Sequence, residues 1–334
     1  MLLSRFPRVK LGSFPTPLEP MKGYGQLAGH DQLYIKRDDL TGLAMGGNKV
    51  RNLEFEMGEA VKQKADVILV AGGLQSNYCR AAAAAAAKLG LECIVIHNDH
   101  APKTLQGNML LSHLLGARPV FLGPVDEEER GRSMEELARD LRARNRRPYL
   151  VRQSPLGSLG YVNAALELHQ QALQQGVVLK HVAIVGAMAG TASGFLYGAA
   201  LLAHEFHVHV ISVEYPIHRL LRTIKELGDG IAELVGVRPP VKIEDVMTVY
   251  DDYLGPGYAI PTRESIQTIY DLARTEGIFL ENVYSSKTLW GMRDLVQKGV
   301  IPRDEAACFV HTGGLPALFA QAGLFGQPAW QRSN

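Results

Sequence analysis

The sequence predicts an α/β protein built from two open, twisted, mostly parallel sheets that are flanked by helices. Its short apolar runs, such as VILVAGG at 67–73 and HVAIVG at 181–186, alternate with longer stretches of helical period. The runs are apolar along their whole length, which is typical of strands buried on both faces of a parallel sheet. With 334 residues, 46% of them hydrophobic, the chain is long enough for two such units.

The predicted elements follow one another in that alternating order. An irregular, proline-containing segment (2–20) precedes the first predicted strand at 33–39, and a helix begins at Lys49. The further predicted strands are 67–73, 92–98, 117–123, 148–152, 181–186, 207–214 and 307–311. The further predicted helices are 75–89, 104–115, 126–144, 162–175, 219–235, 263–276 and 286–297. Such sheets bind ligands at the carboxyl ends of their strands, so the predicted site is a cleft between the two units.

Charge and composition argue against several classes of function. Lysine and arginine total 35 against 34 acidic residues, so the chain has no net field to hold nucleic acid or an anionic membrane. The first residues do not form a secretory signal and no apolar segment approaches spanning length, so we expect a cytoplasmic protein. Cys79, Cys93 and Cys308 are widely spaced and form no CxxC pair, which favours reduced thiols.

The segment GGNKVRNLE (46–54) is the first candidate for chemistry. Two glycines lead into Lys49, where a helical pattern begins. A lysine there faces the positive end of the helix dipole, which together with burial lowers the pKa of its amine. A neutral amine suits covalent attachment to a carbonyl compound. The alternative is a solvated lysine without a chemical role.

Three predicted strands end in small residues followed by a hydroxyl or an amide: GGLQSN (72–77), GAMAGT (186–191) and HTGG (311–314). In the second loop, backbone N–H groups at a helix start suit a phosphate, and the Thr191 hydroxyl is an added donor. The loop lacks both the lysine of a Walker motif and the GxGxxG spacing, which disfavours nucleotide binding. Close packing of a helix on the sheet explains the same small residues equally well.

Together these segments resemble a known family. GGNKVRNLEF, AGGLQSNYCR, GAMAGT, ENVYSSK and VHTGGLPALF are similar to motifs of pyridoxal-phosphate enzymes with the tryptophan synthase β-subunit fold, called fold type II. The matching branch contains D-cysteine desulfhydrase and 1-aminocyclopropane-1-carboxylate deaminase, and the likeness covers nearly the whole chain. The resemblance implies pyridoxal 5'-phosphate as cofactor, a small amino-acid substrate and a homodimer. It also implies a large cofactor-binding domain (1–46 and 162–334) and a small domain (47–161) that carries the lysine helix and the substrate-facing loop.

The resemblance also implies a role for each matching position. Lys49 matches the lysine that binds the cofactor covalently and moves the Cα proton. Ser76 matches the serine that meets the substrate carboxylate, and Asn77 matches the asparagine beside the phenolic oxygen of the cofactor. Thr312 matches the hydroxyl residue near the pyridine nitrogen. The phosphate loop would be Ala187, Met188, Ala189, Gly190 and Thr191, and the active-site tyrosines would be Tyr258 and Tyr284.

Three departures from the family pattern bear on the substrate. Tyr78 stands where desulfhydrases of this branch have histidine, so a phenol enters the substrate-facing loop. The phosphate loop has alanine and methionine in place of glycine and serine, which keeps the backbone donors and loses a serine donor. The usual DPVYTGK becomes ENVYSSK, which keeps the tyrosine and a following hydroxyl, Ser285.

The resemblance implies β-elimination from a small amino acid, and the expected reaction converts D-cysteine to pyruvate, sulfide and ammonia. Ser285 and Thr312 are hydroxyls where the deaminases carry a glutamate and an apolar variant, and a neutral partner leaves the pyridine ring a weaker electron sink. A weaker sink favours loss of a good β-leaving group over ring opening. The alternatives are 1-aminocyclopropane-1-carboxylate deamination, elimination or replacement of another leaving group such as a sulfo group, and a cofactor-free binding protein on the same scaffold.

Two other groups of polar residues are expected to be structural. The eleven histidines, including His207 and His209, show no metal-binding spacing, so no metal is predicted. Asp38 and Asp39 are adjacent on a predicted strand and face opposite sides, which disfavours shared acid–base work.

Overall fold

A computed structural model describes residues 3–203 and 205–326 and contains two sheets, as the sequence predicts. The larger sheet has six strands in the order β1-β2-β10-β7-β8-β9. These strands are β1 Leu18–Pro20, β2 Leu33–Lys36, β7 Leu179–Gly186, β8 His207–Ser212, β9 Met247–Tyr250 and β10 Ala306–Val310. All neighbours in this sheet are parallel except β1 and β2, which run antiparallel.

The smaller sheet is wholly parallel and has the order β5-β4-β3-β6. Its strands are β3 Val67–Ala71, β4 Glu92–His97, β5 Arg118–Phe121 and β6 Pro148–Val151. Every strand of this sheet comes from one continuous part of the chain, whereas the larger sheet combines segments from both sides of it. The division into a small domain at 47–161 stays a prediction, and its boundary lies inside a helix, α6.

Helices cover both faces of each sheet. They are α1 Lys22–Ala28, α2 Lys49–Lys62, α3 Asn77–Lys88, α4 Gly107–Leu114, α5 Glu127–Ala143, α6 Pro155–Gln174, α7 Gly190–Leu201, α8 Ile217–Val235, α9 Arg263–Glu276, α10 Ser285–Gln297 and α11 Leu315–Ala320. One face of the larger sheet packs on α6, α7 and α8, and the other packs on α1, α9 and α10. The smaller sheet packs on α2 and α3 on one face and on α5 on the other.

Several predicted boundaries are wrong for local reasons. The first strand ends at Lys36, and Asp38 and Asp39 lie in a 3₁₀ turn, because Asp38 is drawn into a buried ion pair with Arg51. The segment predicted to be irregular ends in β1. Helix α6 begins at Pro155 and not at 162, because Ser154 caps it by accepting a hydrogen bond from the N–H of Gly157 at 3.0 Å. Strand β9 was not predicted.

A buried charge network joins the segment that precedes α2 to α6. Arg51 is 1% exposed and donates to Asp38 at 2.8 Å and to Glu167 at 2.8 Å. The Tyr161 hydroxyl donates to Asp38 at 2.6 Å. Burial alone would raise the pKa of Asp38, but the Arg51 guanidinium overcomes that effect and lowers it to about 2. The network therefore fixes the first turn of α2, which contains both Lys49 and Arg51, against α6.

Candidate active site

The turn before α2 is strained and presents Lys49 as the first residue of that helix. Four consecutive residues have positive φ: Ala44 at 42°, Met45 at 71°, Gly46 at 67° and Gly47 at 107°. The two non-glycine residues cost on the order of 1–2 kcal/mol each in this region. A turn of this kind persists only where its surroundings hold it, which is common at functional sites.

The Lys49 amine has the properties of a reactive amine. Its side chain is half-buried, and the ammonium lies 5.6 Å from the centre of the Tyr78 ring. Burial lowers the pKa of Lys49 to about 8, and the nearby Glu214 carboxylate partly opposes that effect. Within residues 3–203 and 205–326, Nζ has no hydrogen-bond acceptor. A substantial fraction of this amine is therefore neutral near physiological pH, as a nucleophile or base requires.

The predicted phosphate loop lies beside the lysine turn. Ala189 has φ 70° and precedes α7, whose first-turn N–H groups have no partner within the helix. Thr191 is buried, and its Oγ1 accepts a hydrogen bond from Asn48 Nδ2 at 2.9 Å. Because a hydroxyl that accepts still has its hydrogen, Thr191 remains able to donate to an anion. Asn48 immediately precedes Lys49, so this bond brings the amine and the anion-binding loop together.

The predicted substrate-facing loop lies at the start of α3. Ser76 is the N-cap of α3, and its Oγ accepts from the N–H of Cys79 at 3.2 Å, which leaves its hydroxyl hydrogen free for another acceptor. Asn77 is half-buried and accepts from Asn108 at 2.9 Å. The Tyr78 hydroxyl donates to the carbonyl oxygen of Arg152 at 3.2 Å, so its ring and not its hydroxyl faces Lys49.

The two predicted tyrosines are in contact. The hydroxyls of Tyr258 and Tyr284 are hydrogen-bonded, and their ring centres are 6.0 Å apart. Burial raises the pKa of Tyr258 to about 12, so its phenol is protonated at neutral pH. Tyr284 is held from behind by Glu281, whose buried carboxylate accepts the N–H groups of Val283, Tyr284 and Ser285 at 2.7–2.8 Å. Glu281 thereby orders the start of α10.

Thr312 reaches the same place from the end of β10. It is 6% exposed, and its carbonyl oxygen accepts the N–H of Asn48 at 2.9 Å. Ser285 is fully buried and its hydroxyl contacts the Glu281 carboxylate at 3.0 Å. The sequence predicted two neutral hydroxyls, Ser285 and Thr312, near the pyridine ring. The structure adds the buried Glu281 carboxylate, which contacts the Ser285 hydroxyl.

Sequence reasoning missed Glu214 as a site residue. It follows β8 by two residues and is half-buried. Burial raises the pKa of Glu214 to about 7, with a further increase from Glu127, while Lys49 acts in the opposite direction. Its position directly after an apolar run at a strand's carboxyl end was the available signal. The carboxyl is a second group in the cleft that titrates near neutrality.

Together these groups fit a phosphorylated aldehyde. An amine with a lowered pKa can attach to the aldehyde, and the start of α7 with Thr191 offers uncharged donors to the phosphate. Asn77 Nδ2 lies 3.4 Å from the place of a Cβ on Gly314, in the same HTGG turn as Thr312, so both residues would offer polar groups to the ring of the cofactor.

Comparison with known proteins gives the family. A family model described as pyridoxal-phosphate dependent enzyme matches residues 9–313. The chain belongs to this family. It is 36% identical to D-cysteine desulfhydrase of Serratia proteamaculans (strain 568) over 326 residues, which cover 95% of this chain and 97% of the relative. The predicted cofactor, pyridoxal 5'-phosphate, and the predicted class, a pyridoxal-phosphate-dependent lyase, are confirmed.

Solved structures confirm the fold. A protein described as an ACC deaminase homologue superposes with a TM-score of 0.89 at 34% identity, covering 97% of each chain. O-Ureido-L-serine synthase superposes with a TM-score of 0.70 at 18% identity, covering 97% of this chain and 98% of that one. The predicted fold type II architecture is therefore correct.

Three of the histidines predicted to be structural, His181, His207 and His209, form hydrogen bonds inside the larger sheet. His209 contacts His181 at 3.0 Å and Tyr250 at 3.1 Å, and His207 contacts Thr248 at 2.8 Å. Over the described parts of the chain, 3–203 and 205–326, no cluster of three or more His, Cys, Asp or Glu side chains is arranged to hold a metal ion. In the same ranges, no helix is long and apolar enough to cross a membrane.

Proposed function

We propose that the protein catalyses β-elimination from a small amino acid, with D-cysteine as substrate and pyruvate, sulfide and ammonia as products. The observation that supports this most directly is the Lys49 amine, whose pKa of about 8 lets it accept a proton from Cα near neutral pH. The full-length similarity to D-cysteine desulfhydrase supports the same substrate. When bound, pyridoxal 5'-phosphate supplies the electron sink for the charge that develops at Cα.

The chain's own residues divide the proposed tasks of binding and proton transfer among them. Lys49 binds the cofactor and moves the Cα proton. The N–H groups of Ala187, Met188, Ala189, Gly190 and Thr191 hold the phosphate, and Asn77 and Thr312 orient the ring. Ser76 binds the substrate carboxylate with its free hydroxyl hydrogen, beside Asn77 and Tyr78. The Tyr258–Tyr284 pair keeps a protonated phenol in the cleft that can donate to the leaving group.

Borohydride reduction followed by peptide mapping tests the attachment point. We expect the label on Lys49 and its loss in Lys49→Ala. Lys36 is a suitable internal control, because it is 1% exposed and bound to Glu167, Gln171 and the carbonyl oxygen of Thr16. Label on Lys36, or on no lysine, would refute the assignment. A cofactor-free binding protein on the same scaffold would carry no label on any lysine.

A substrate panel tests the reaction. Parallel assays of D-cysteine, L-cysteine, β-chloro-D-alanine and 1-aminocyclopropane-1-carboxylate separate the candidates. Turnover of the cyclopropane substrate alone would contradict the proposal based on Ser285 and Thr312. Turnover of β-chloro-D-alanine but not D-cysteine would mean that the leaving group differs, for example a sulfo-type group, and Tyr78 would be the first residue to exchange.

The proposal extends to the assembly and the location of the protein. We propose a cytoplasmic homodimer. All three cysteines are buried and unpaired within the described residues, which suits a reducing compartment. Light scattering at assay concentration tests the dimer, and a monomer mass would contradict it.

A further inference from the structure

A buried arginine without a counter-charge lies behind the proposed site. Arg80 is 1% exposed, and no carboxylate lies within ion-pair distance of it in residues 3–203 and 205–326. Burial lowers its pKa to about 10. Keeping a guanidinium in such a place is costly unless its hydrogen bonds are well used. What Arg80 contacts therefore indicates what it is for.

Arg80 contacts both sides of the site. One end donates to the carbonyl oxygens of Ala44 and Gly46, the latter at 2.8 Å, and so holds the strained turn before Lys49. The other end, Nε, donates to Asn108 Oδ1 at 3.1 Å. Asn108 is 1% exposed and lies in the first turn of α4. A single side chain thus ties the lysine turn to the element behind the substrate-facing loop.

The donors and acceptors in this chain of contacts can be arranged in only one direction. Arginine only donates, so the oxygen of the Asn108 amide must face Arg80. Its nitrogen then donates to the carbonyl oxygen of Gln75 at 2.8 Å and to Asn77 Oδ1 at 2.9 Å. The Asn77 oxygen is therefore occupied, and its nitrogen is left to face the HTGG turn, 3.4 Å from the place of a Cβ on Gly314.

We propose that Arg80 and Asn108 are positioning residues that make Asn77 a hydrogen-bond donor, and never an acceptor, toward the bound cofactor. This inference rests on the proposed function, because the group that receives the Asn77 hydrogen bond is an oxygen of pyridoxal 5'-phosphate. Without Asn108, the Asn77 amide is free to turn by half a rotation, which would present an oxygen to an electron-rich oxygen of the cofactor. This role also accounts for the burial of Arg80, because its hydrogen bonds order both the turn that carries Lys49 and, through Asn108, the Asn77 amide.

The sharpest test is Asn108→Asp in the full-length protein. The change is nearly isosteric and gives Arg80 a carboxylate, but it also removes the N–H that Asn108 donates to the Gln75 carbonyl oxygen, so the thermal midpoint of the cofactor-free protein is measured beside the binding. The second carboxylate oxygen cannot donate to Asn77, so the Asn77 amide must turn. We expect the dissociation constant for added pyridoxal 5'-phosphate, measured by absorbance titration, to rise about tenfold or more, as for loss of a hydrogen bond to a charged group.

The matched control is Asn98→Asp. Asn98 also accepts from an arginine, Arg130, at 2.9 Å and donates to a backbone carbonyl, that of Val125, but it does not contact Asn77. We expect Asn98→Asp to keep the parent's dissociation constant. An equal rise in both variants would overturn the inference, because it would mean that any such charge change near the cleft weakens binding.

A double-mutant comparison separates positioning from general structural support. In an Asn77→Ala background, Asn108→Asp should add less than twofold to the dissociation constant, because it acts through Asn77. Equal losses in both backgrounds, or no loss in the single variant, would overturn the inference. If Asn108→Asp does not fold, Asn108→Ala takes its place, with a smaller rise in the dissociation constant because the Asn77 amide is then free to turn but not forced to; no rise in that variant would overturn the inference. A parent protein that fails to bind the cofactor would instead refute the proposed function.

Discussion

Removing the Lys49 amine should stabilise the protein while abolishing its attachment to the cofactor. The pKa of Lys49 is lowered from the ordinary 10.5 to about 8. A difference of about 2.5 between those values corresponds to about 3 kcal/mol of unfavourable free energy in the charged folded state. Because part of the side chain reaches water, solvent screening reduces this figure, and we expect Lys49→Met to raise the free energy of unfolding by about 1–2 kcal/mol.

The gain should depend on pH in a defined way. Below pH 8 the amine is charged in both states, so the parent bears the whole cost of burying it. Between pH 8 and 10.5 the unfolded parent binds more protons than the folded parent, so the stability of the parent rises with pH. The advantage of Lys49→Met should therefore be complete at pH 7 and mostly gone near pH 10.5.

Urea unfolding of the cofactor-free proteins at pH 7 and pH 10 measures this difference, provided that the slope m is unchanged. Lys36→Met is the control of opposite sign, because it leaves the partly buried Glu167 without one of its partners and should destabilise. A Lys49→Met protein that is less stable than the parent at both pH values would refute the reasoning, since Lys49 would then be a supporting residue.

Three further predictions concern the framework around the site. Arg51→Met should cost about 3–5 kcal/mol of stability, because it leaves Asp38 buried and unpaired; chemical denaturation measures this, and a loss below about 1 kcal/mol would contradict it. Ala189→Gly should stabilise the protein by about 0.5–1 kcal/mol, because glycine adopts φ 70° without strain. The thermal midpoint measures this, and an unchanged midpoint would mean that the φ of residue 189 does not limit stability. Gly194→Ala should lower the free energy of unfolding by at least about 2 kcal/mol, since the new Cβ would lie 2.1 Å from the carbonyl oxygen of Ser158. An unchanged thermal midpoint would mean that α6 and α7 can move apart at little cost.

The sequence was sufficient for the fold because its strands are apolar along their length and end in small residues. It was also sufficient to bring Lys49, Thr191 and Thr312 to one place, since all three lie at strand or helix ends that converge in a parallel sheet. Helix α6 was predicted seven residues too short, because a cap by Ser154 outweighs the two glycines at 157 and 160.

Other site features depend on contacts between distant segments. Glu214, Glu281 and Arg80 were missed as site residues because their roles come from burial and from partners that local pattern does not reveal. Arg80 is the clearest case, since a charged residue at the start of an alanine-rich helix resembles a solvated one until the turn at 44–46 is seen to pack on it. The sequence predicted a Tyr78 phenol in the substrate-facing loop, and it could not predict that the ring faces the lysine while the hydroxyl points to Arg152.

The phosphate loop has a consequence for how such enzymes diverge. Its proposed donors are main-chain N–H groups at the start of α7 together with one hydroxyl, and neither alanine nor methionine removes a main-chain donor. Side-chain changes in the loop should therefore have little effect on phosphate binding. Met188 is 41% exposed, so its side chain is not held by the core. Relatives of this kind are better sought by where a helix begins after a buried strand than by a serine–glycine signature, because main-chain donors depend on the position of the turn and not on its side chains.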